Sequence, residues 1–538
     1  MKGVIVGGHE LTVSAGAAML ARGGNAFDAA VAAAFASCVA ESALTSVGGG
    51  GFMAAHTAGG ANMVYDFFTT MPGLGSVDKG ELDFFPLHID FADALQTVYI
   101  GRGAAAVPGF VAGLEEVRKN HCRLPVDVLL EPAITMAREG FPVNAAQAYF
   151  NTLLEPMLRS SREPMDVYMP QRRAIAEGGI IKHESMARAF ESLVRDGLGS
   201  FYTGHVAEGL LRGFGAKEGG LITEEDLAVY RPVVRKPVEL AYRGRTVYTN
   251  PPPSSGGALI AFALKLLEHM DVAGPGHNTA LYMRRLAYVM KVTDEARRAS
   301  FDHNLFDAGL LERFLSDAHL SGFRERLAEQ SDGPGHDAAG AAPRPLGDTT
   351  HISVADAEGN LVSITTSVGM GCGFMIPGTG IMMNNMLGEH DLNPHGFHTM
   401  TPGRRLSSMM APTIVMRDKA GEIVLGSGGS KRIRSAVLQT ILNVIDFEMP
   451  VDKAVNVSRI HFENGVLDVE DGVPGHEIEA LRATGIKVKR WKKKDMYFGG
   501  VHSIVREEGG LTGSGDRRRG GAVKDFSPST PGEENNQD

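Results

Sequence analysis

The residues that most invite a chemical reading are Asp348-Thr349-Thr350-His351, where a Gly-, Ala- and Pro-rich stretch meets an alternating apolar one. A threonine hydroxyl hardly ionises near neutral pH and becomes a nucleophile only beside a base. The nearest base is the residue's own α-amine, which titrates at about 7.7–8.0 when free. It is free only if the bond between Asp348 and Thr349 is cut. A threonine heading a rigid strand behind a disposable linker therefore has the layout of an N-terminal nucleophile, although many threonines begin strands for structural reasons alone. Other patterns carry less. The glycine clusters Gly48–Gly51 and Gly426–Gly429 lack the spacing of a phosphate-binding loop or a dinucleotide fingerprint. His390, His395 and His398 share one loop without a suitably spaced carboxylate, so they read as polar loop residues rather than a metal site. There is no G-x-S-x-G elbow, and the S-x-x-K match at Ser76-Val77-Asp78-Lys79 stands without companion motifs.

The elements that would position Thr349 are legible around it. Ile352 and Val354, then Val362 and Ile364, alternate about a turn from Asp356 to Asn360, which predicts a hairpin. A second hairpin is expected from Thr413–Met416 to Ile423–Leu425. Val437, Leu438, Ile441, Leu442 and Ile445 mark one helical face. At the other end, Val4–Val6 reads as a strand and a small-residue helix follows, stopping at Gly23-Gly24. Asn25 caps a second helix running from Asp28 to Cys38. Phe52–His56 predicts a strand, and Phe110, Leu114 and Val117 predict an amphipathic helix. The region up to about residue 330 reads as mainly helical, with a strand near Thr246–Tyr248. Residues 331–348 read as a flexible exposed linker, and 526–538 as a polar disordered tail. Interleaved strands and helices followed by hairpins predict an α/β layered fold with antiparallel strands in its central sheets.

Composition narrows the function. The 538 residues are 43% hydrophobic and carry a net charge of −10, without a basic stripe, which argues against a nucleic-acid partner. The basic triplet Arg517-Arg518-Arg519 reads as a solvated loop or a small anion contact. Three cysteines, without a C-x-x-C pair, exclude a disulfide scaffold and a zinc cluster of usual spacing; Cys38 reads as a small buried hydrophobe. No stretch is long and apolar enough for a membrane helix, and no secretory leader is seen, so a cytoplasmic protein without a membrane partner is expected.

Five blocks, in order from about residue 3 to about 520, resemble the γ-glutamyltranspeptidase family. They are Gly23-Gly24-Asn25-Ala26 with Asp28–Val31; Gly49-Gly50-Gly51-Phe52-Met53; Thr349-Thr350-His351-Ile352-Ser353-Val354 with Glu358-Gly359-Asn360; Leu406-Ser407-Ser408-Met409 with Pro412–Val415; and Gly426-Ser427-Gly428-Gly429-Ser430 with Arg432-Ile433. The resemblance implies a four-layer αββα sandwich of the N-terminal nucleophile hydrolases. It implies a precursor that cuts itself between Asp348 and Thr349, leaving a large-subunit region, 1–348, and a small-subunit region, 349–525, bound together as a heterodimer or a dimer of heterodimers. Thr349 would be the nucleophile and its freed amine the base. Ser367 stands where the family has an assisting threonine hydroxyl, and the N–H groups of Gly429 and Ser430 fall at the oxyanion-hole positions. Ser430 replaces a family glycine, a change of little consequence if only its N–H is used. This chemistry requires no metal or organic cofactor.

The expected substrate pocket departs from the family. Phe68 stands at the position of the arginine that grips the glutamyl α-carboxylate, Gly369 replaces an asparagine, Met386 a glutamine and Glu389 an aspartate. Ser407 and Ser408 persist, with Arg405 an extra cation beside them. Two substrate classes follow: γ-glutamyl amides such as glutathione, with Arg405 compensating, or small-molecule amides with another acyl group, the reading the substitutions favour. An uncleaved relative acting as a binding or structural protein is the alternative from a different class.

Overall fold

The computed structural model describes residues 3–75, 80–90, 95–331 and 349–526. Asp348 and the rest of 332–348, the S-x-x-K match at 76–79 and the tail 527–538 lie outside the described residues.

Two antiparallel sheets face each other. The first runs in the order Ala522–Asp525, Gly3–Gly7, Thr350–Asp356, Leu361–Ser367, Gly50–His56, Asn62–Phe67, Val233–Arg235. The second runs Gly510–Gly515, Gly500–Glu507, Ala420–Gly428, Thr413–Arg417, Arg245–Thr249, Val238–Tyr242. Period-2 alternation assigns each side chain its face. Ile5, Ile352 and Val354 belong to the core beneath the first helical layer, whereas Val4, Val6 and Ala355 join the core shared with the second sheet. Helices Glu10–Ala21 and Ala26–Ala40 cover the first sheet, and Gly256–Leu267 and Arg432–Ile445 pack against the second. The result is the expected αββα sandwich. Both sheets contain strands from either side of position 349, so the two regions hold each other through main-chain ladders.

The alanine-rich helix Ala26–Ala40 is buried along its whole length. Small side chains permit this: at Gly16 of the preceding helix, a Cβ would stand 2.7 Å from the Ala29 carbonyl oxygen and 2.3 Å from Ile5. The expected cap is a full capping box, with Asn25 Oδ1 accepting from the Phe27 and Asp28 N–H groups and Asp28 accepting from Asn25 N. The helix also grips the Thr350–Asp356 strand at both ends. Its first N–H, on Ala26, donates to Asp356 Oδ2 at 2.9 Å. Glu41, just past its last turn, accepts the Thr350 and Thr12 hydroxyls at 2.6 Å each. A 15-residue helix spans about 22 Å and a seven-residue strand about 23 Å, so the lengths match.

Several expectations need correction. Only Arg517 of the basic triplet is exposed. Arg518 is buried against Glu470 and Asp516, and Arg519 is buried with its Nη1 3.4 Å from the Thr349 carbonyl oxygen. Arg518 and Arg519 are internal framework, and Arg517 alone is solvated as read. The expected linker starts one residue too early, since helix Asp317–Ser331 includes Ser331. Phe526, placed in the tail, donates its N–H to Gly3 O at 2.9 Å. Among the described residues no helix is long and apolar enough to cross a membrane.

Burial pushes the Glu41 carboxyl up to about 7, against the Thr12 and Thr350 hydroxyls and the Arg519 charge, which favour its ionised form. An acid whose folded pKa lies above its unfolded value of about 4.3 contributes stability at low pH that is lost as pH rises through about 7. Glu41→Gln should remove this component. Subtracting its thermal midpoints from those of the parent between pH 5 and 8 should give a difference that falls with pH; parallel curves would contradict the assignment.

Candidate active site

Register brings the first two catalytic candidates together. Thr350 pairs with Thr366, so one step back along the ladder Thr349 lies opposite Ser367. Ser367 in turn pairs with Gly50 of the neighbouring strand, and its Oγ accepts the Gly369 N–H at 2.9 Å. His351, next in the strand, takes no part. It is fully buried between the sheets, with Nδ1 2.8 Å from Thr365 Oγ1 and Nε2 3.0 Å from Ser353 Oγ, and burial holds it neutral, well below its usual value.

The second sheet approaches Thr349 very closely. A Cβ on Gly428, the last residue of Ala420–Gly428, would stand 2.1 Å from the Thr349 carbonyl oxygen. Only a residue without a side chain allows the two backbones to meet there. The chain leaves that strand through Gly429 and Ser430, both with positive φ, 120° and 52°, and enters helix Arg432–Ile445. The positive end of that helix therefore lies beside the recess, a setting that favours negative charge.

Thr349, Ser367, Ser430, Phe68, Met386, Glu389 and Ser408 line one recess. Seven of the residues singled out in the sequence thus converge, although they come from six separate segments. Gly429 precedes the wall without forming part of it, and Ser407 is buried outside the lining. Gly369 has φ 66°, and a Cβ there would stand 2.5 Å from Glu389 Oε1 and 2.2 Å from Asn385 Oδ1. The asparagine expected from the family has no room with these side chains as they stand.

Arg405 is the expectation that the geometry overturns. Its guanidinium is turned away from the recess and committed. Nη1 donates to the Phe68 carbonyl and to Tyr230 Oη, Nη2 donates to Arg231 O at 2.8 Å, and Nε lies 3.3 Å from Asp66 Oδ1. It stacks on Tyr230 at 4.8 Å and is 8% exposed. Arg405 fixes the backbone of Phe68 and is not free for a substrate carboxylate. Phe68 itself stacks on Phe52, ring centroids 5.4 Å apart.

The sequence reading missed Asp391, Leu392, Met409, Met410 and Ile433, which complete the wall. Their signal was proximity: Met409 and Met410 follow Ser408, Ile433 follows the glycine turn, and Asp391 lies two residues beyond Glu389. Among the described residues, Glu389 and Asp391 are the charged side chains of the lining, both acidic. The loop histidines serve elsewhere: His395 Nε2 is 3.2 Å from Asp302 O and His398 Nε2 2.8 Å from Gly103 O.

The family model described as gamma-glutamyltranspeptidase matches residues 12–526. The chain is 32% identical over 520 residues to the acylase ACY 1 proenzyme of Pseudomonas sp. (strain SE83), covering 95% of this chain and 91% of that one. It is 30% identical over 535 residues to the glutathione hydrolase proenzyme of Escherichia coli (strain K12), covering 96% and 90%. The crystal structure of cephalosporin acylase from Bacillus halodurans matches with a TM-score of 0.83 at 26% identity, over 97% of this chain and 95% of that one.

The close approach at Gly428 gives a structural test. Gly428→Ala should lower stability by about 1–3 kcal/mol in urea unfolding, because backbone must shift. Gly509→Ala, where a Cβ meets nothing within 4 Å, should change it by less than about 0.5 kcal/mol.

Proposed function

The chain belongs to the γ-glutamyltranspeptidase family of amidohydrolases and acyltransferases, and from that premise we propose that Thr349 is its nucleophile and that its acyl substrate is not γ-glutamyl. The observation that carries the first half is the convergence of Thr349, Ser367 and Ser430 on one recess, with Thr349 at the head of a clamped strand. The precursor cuts itself between Asp348 and Thr349. The freed α-amine takes the Thr349 hydroxyl proton as Oγ attacks the amide carbon. The tetrahedral oxyanion is met by the N–H groups of Gly429 and Ser430 and by the adjacent helix N-terminus, a type of donor typically worth about 3–4 kcal/mol. The C–N bond then breaks, the departing amine takes the proton, and the ester on Thr349 passes to water or to an amine acceptor.

The wall chemistry supports the second half. An acyl group carrying a carboxylate would meet Phe68, Met386, Met409 and Met410 together with two acidic side chains. Arg405, the cation the sequence offered as a compensating contact, is held by Asp66, Tyr230 and two carbonyls, and Lys431 is committed to Asp391 and Glu463. Burying an unpaired charge in such surroundings costs several kcal/mol. An acyl group with an apolar stem and no carboxylate meets no such cost.

Two measurements test the proposal. The purified protein should run as two chains on a denaturing gel, with Thr349 as the N-terminus of the smaller, and Thr349→Ala should remain one inactive chain; cleavage of that variant would refute the role. On anilides of matched length, the butanoyl substrate should exceed the γ-glutamyl one in kcat/KM by at least tenfold, about 1.4 kcal/mol. A γ-glutamyl value above about 10⁴ M⁻¹s⁻¹ would restore the glutamyl reading.

A further inference from the structure

Ser430 occupies a backbone conformation, φ 52°, that glycine adopts without strain and serine does not. On conformational grounds alone a glycine would serve better, so what the serine side chain does there matters. Its Oγ donates to Asp391 Oδ2 at 2.7 Å. The other oxygen of Asp391 receives Lys431 Nζ at 3.1 Å, and the same Nζ reaches Glu463 Oε1 at 2.9 Å. The Asp391 and Glu463 side chains are 6% and 4% exposed, so these are interior charges with partners rather than solvated surface pairs. Asp391 also sits in the segment that supplies Met386, Glu389 and Leu392 to the acyl wall. That segment is closed on itself by Asn393, whose Nδ2 donates to the Met386 and Glu389 carbonyl oxygens at 2.9 Å each. One hydroxyl thus joins the turn beside Thr349 to the wall that receives the acyl group.

We propose that Ser430, Asp391 and Lys431 form a positioning lock that holds the oxyanion turn in its left-handed conformation and ties it to the acyl-binding segment. The lock rests on the reading of Thr349 as nucleophile and goes beyond it. The Ser430 hydroxyl does not touch the reacting atoms; it keeps its own N–H aimed at them, so its loss acts on the transition state more than on substrate binding. Asp391 holds both the turn and the wall, so its loss acts on both.

The test uses the full-length enzyme with butanoyl anilide and four variants: Ser430→Gly, Ser430→Ala, Asp391→Asn and the Ser430→Gly/Asp391→Asn double. Ser430→Gly relieves the backbone while deleting the hydroxyl, so a purely conformational view predicts unchanged or improved turnover. The lock predicts a fall in kcat of at least tenfold with KM within about twofold. Ser430→Ala should fall similarly, and Asp391→Asn should lower kcat and raise KM. The double variant should be no slower than Asp391→Asn alone, because both changes break one linkage. Wild-type kcat in both Ser430 variants, or additive losses in the double variant, would overturn the lock. If the parent enzyme itself fails to cleave at Thr349, the nucleophile assignment falls instead, so the two failures are distinguishable.

Discussion

The candidate active site depends on one strand being held still from three directions. Thr350–Asp356 is paired on both edges within its sheet, by Gly3–Gly7 and by Leu361–Ser367. The helix Ala26–Ala40 fastens its two ends through Asp356 and Glu41. The opposite sheet presses on its start, where Gly428 leaves room for the Thr349 carbonyl. A nucleophile must be placed to within a fraction of an ångström of its attack geometry, and a residue at the end of a chain is ordinarily the worst placed for that, because termini fray. The clamp answers that difficulty. It acts on residues 350 and 356 and on the Thr349 carbonyl, leaving the Thr349 amine and hydroxyl uninvolved in the clamp itself.

The same architecture explains how a cut before Thr349 is compatible with a stable fold. Gly3–Gly7 lies between Ala522–Asp525 and Thr350–Asp356, and Arg245–Thr249 pairs with Thr413–Arg417. Each sheet is therefore stitched across the junction, and separating the two regions would expose unpaired main-chain groups in both, at the cost of a lost hydrogen bond each.

Much of this was legible in the residues. The hairpin about Asp356–Asn360 and the Asn25 cap are local devices whose signals lie within a few residues, and both formed as read. The strands Gly500–Glu507 and Gly510–Gly515 were not named: polar His502 and Ser503 interrupt the first, and Gly, Thr and Ser dilute the second. What escaped the sequence was which polar groups find each other across the fold. Arg405 and the Arg517–Arg519 triplet look alike in a linear chain, as cations available to an anion. Their partners, Asp66 and Tyr230 in one case and Glu470 and Asp516 in the other, come from distant segments. Asp391 was overlooked for the same reason: its meaning lies in Ser430 and Lys431, some forty residues away.

Arg405 also bears on how the pocket came to differ from the family pattern. A phenylalanine in place of a substrate-binding arginine would be a modest change if a second cation could reach the same anion. Here that cation is drawn into the wall behind the phenylalanine, where it pairs with Asp66 and holds the Phe68 carbonyl. Freeing it would leave the Asp66 carboxylate, wholly buried, with only Arg235 at 2.7 Å to balance it. Removing one partner of a buried ion pair generally costs about 3–5 kcal/mol, comparable with what a bound carboxylate would return in a charge-assisted pair. The exchange offers no net gain, so the arginine stays in the wall. Phe68 and Arg405 are then two parts of one arrangement: an apolar face toward the recess, and a cation behind it that fixes where that face stands.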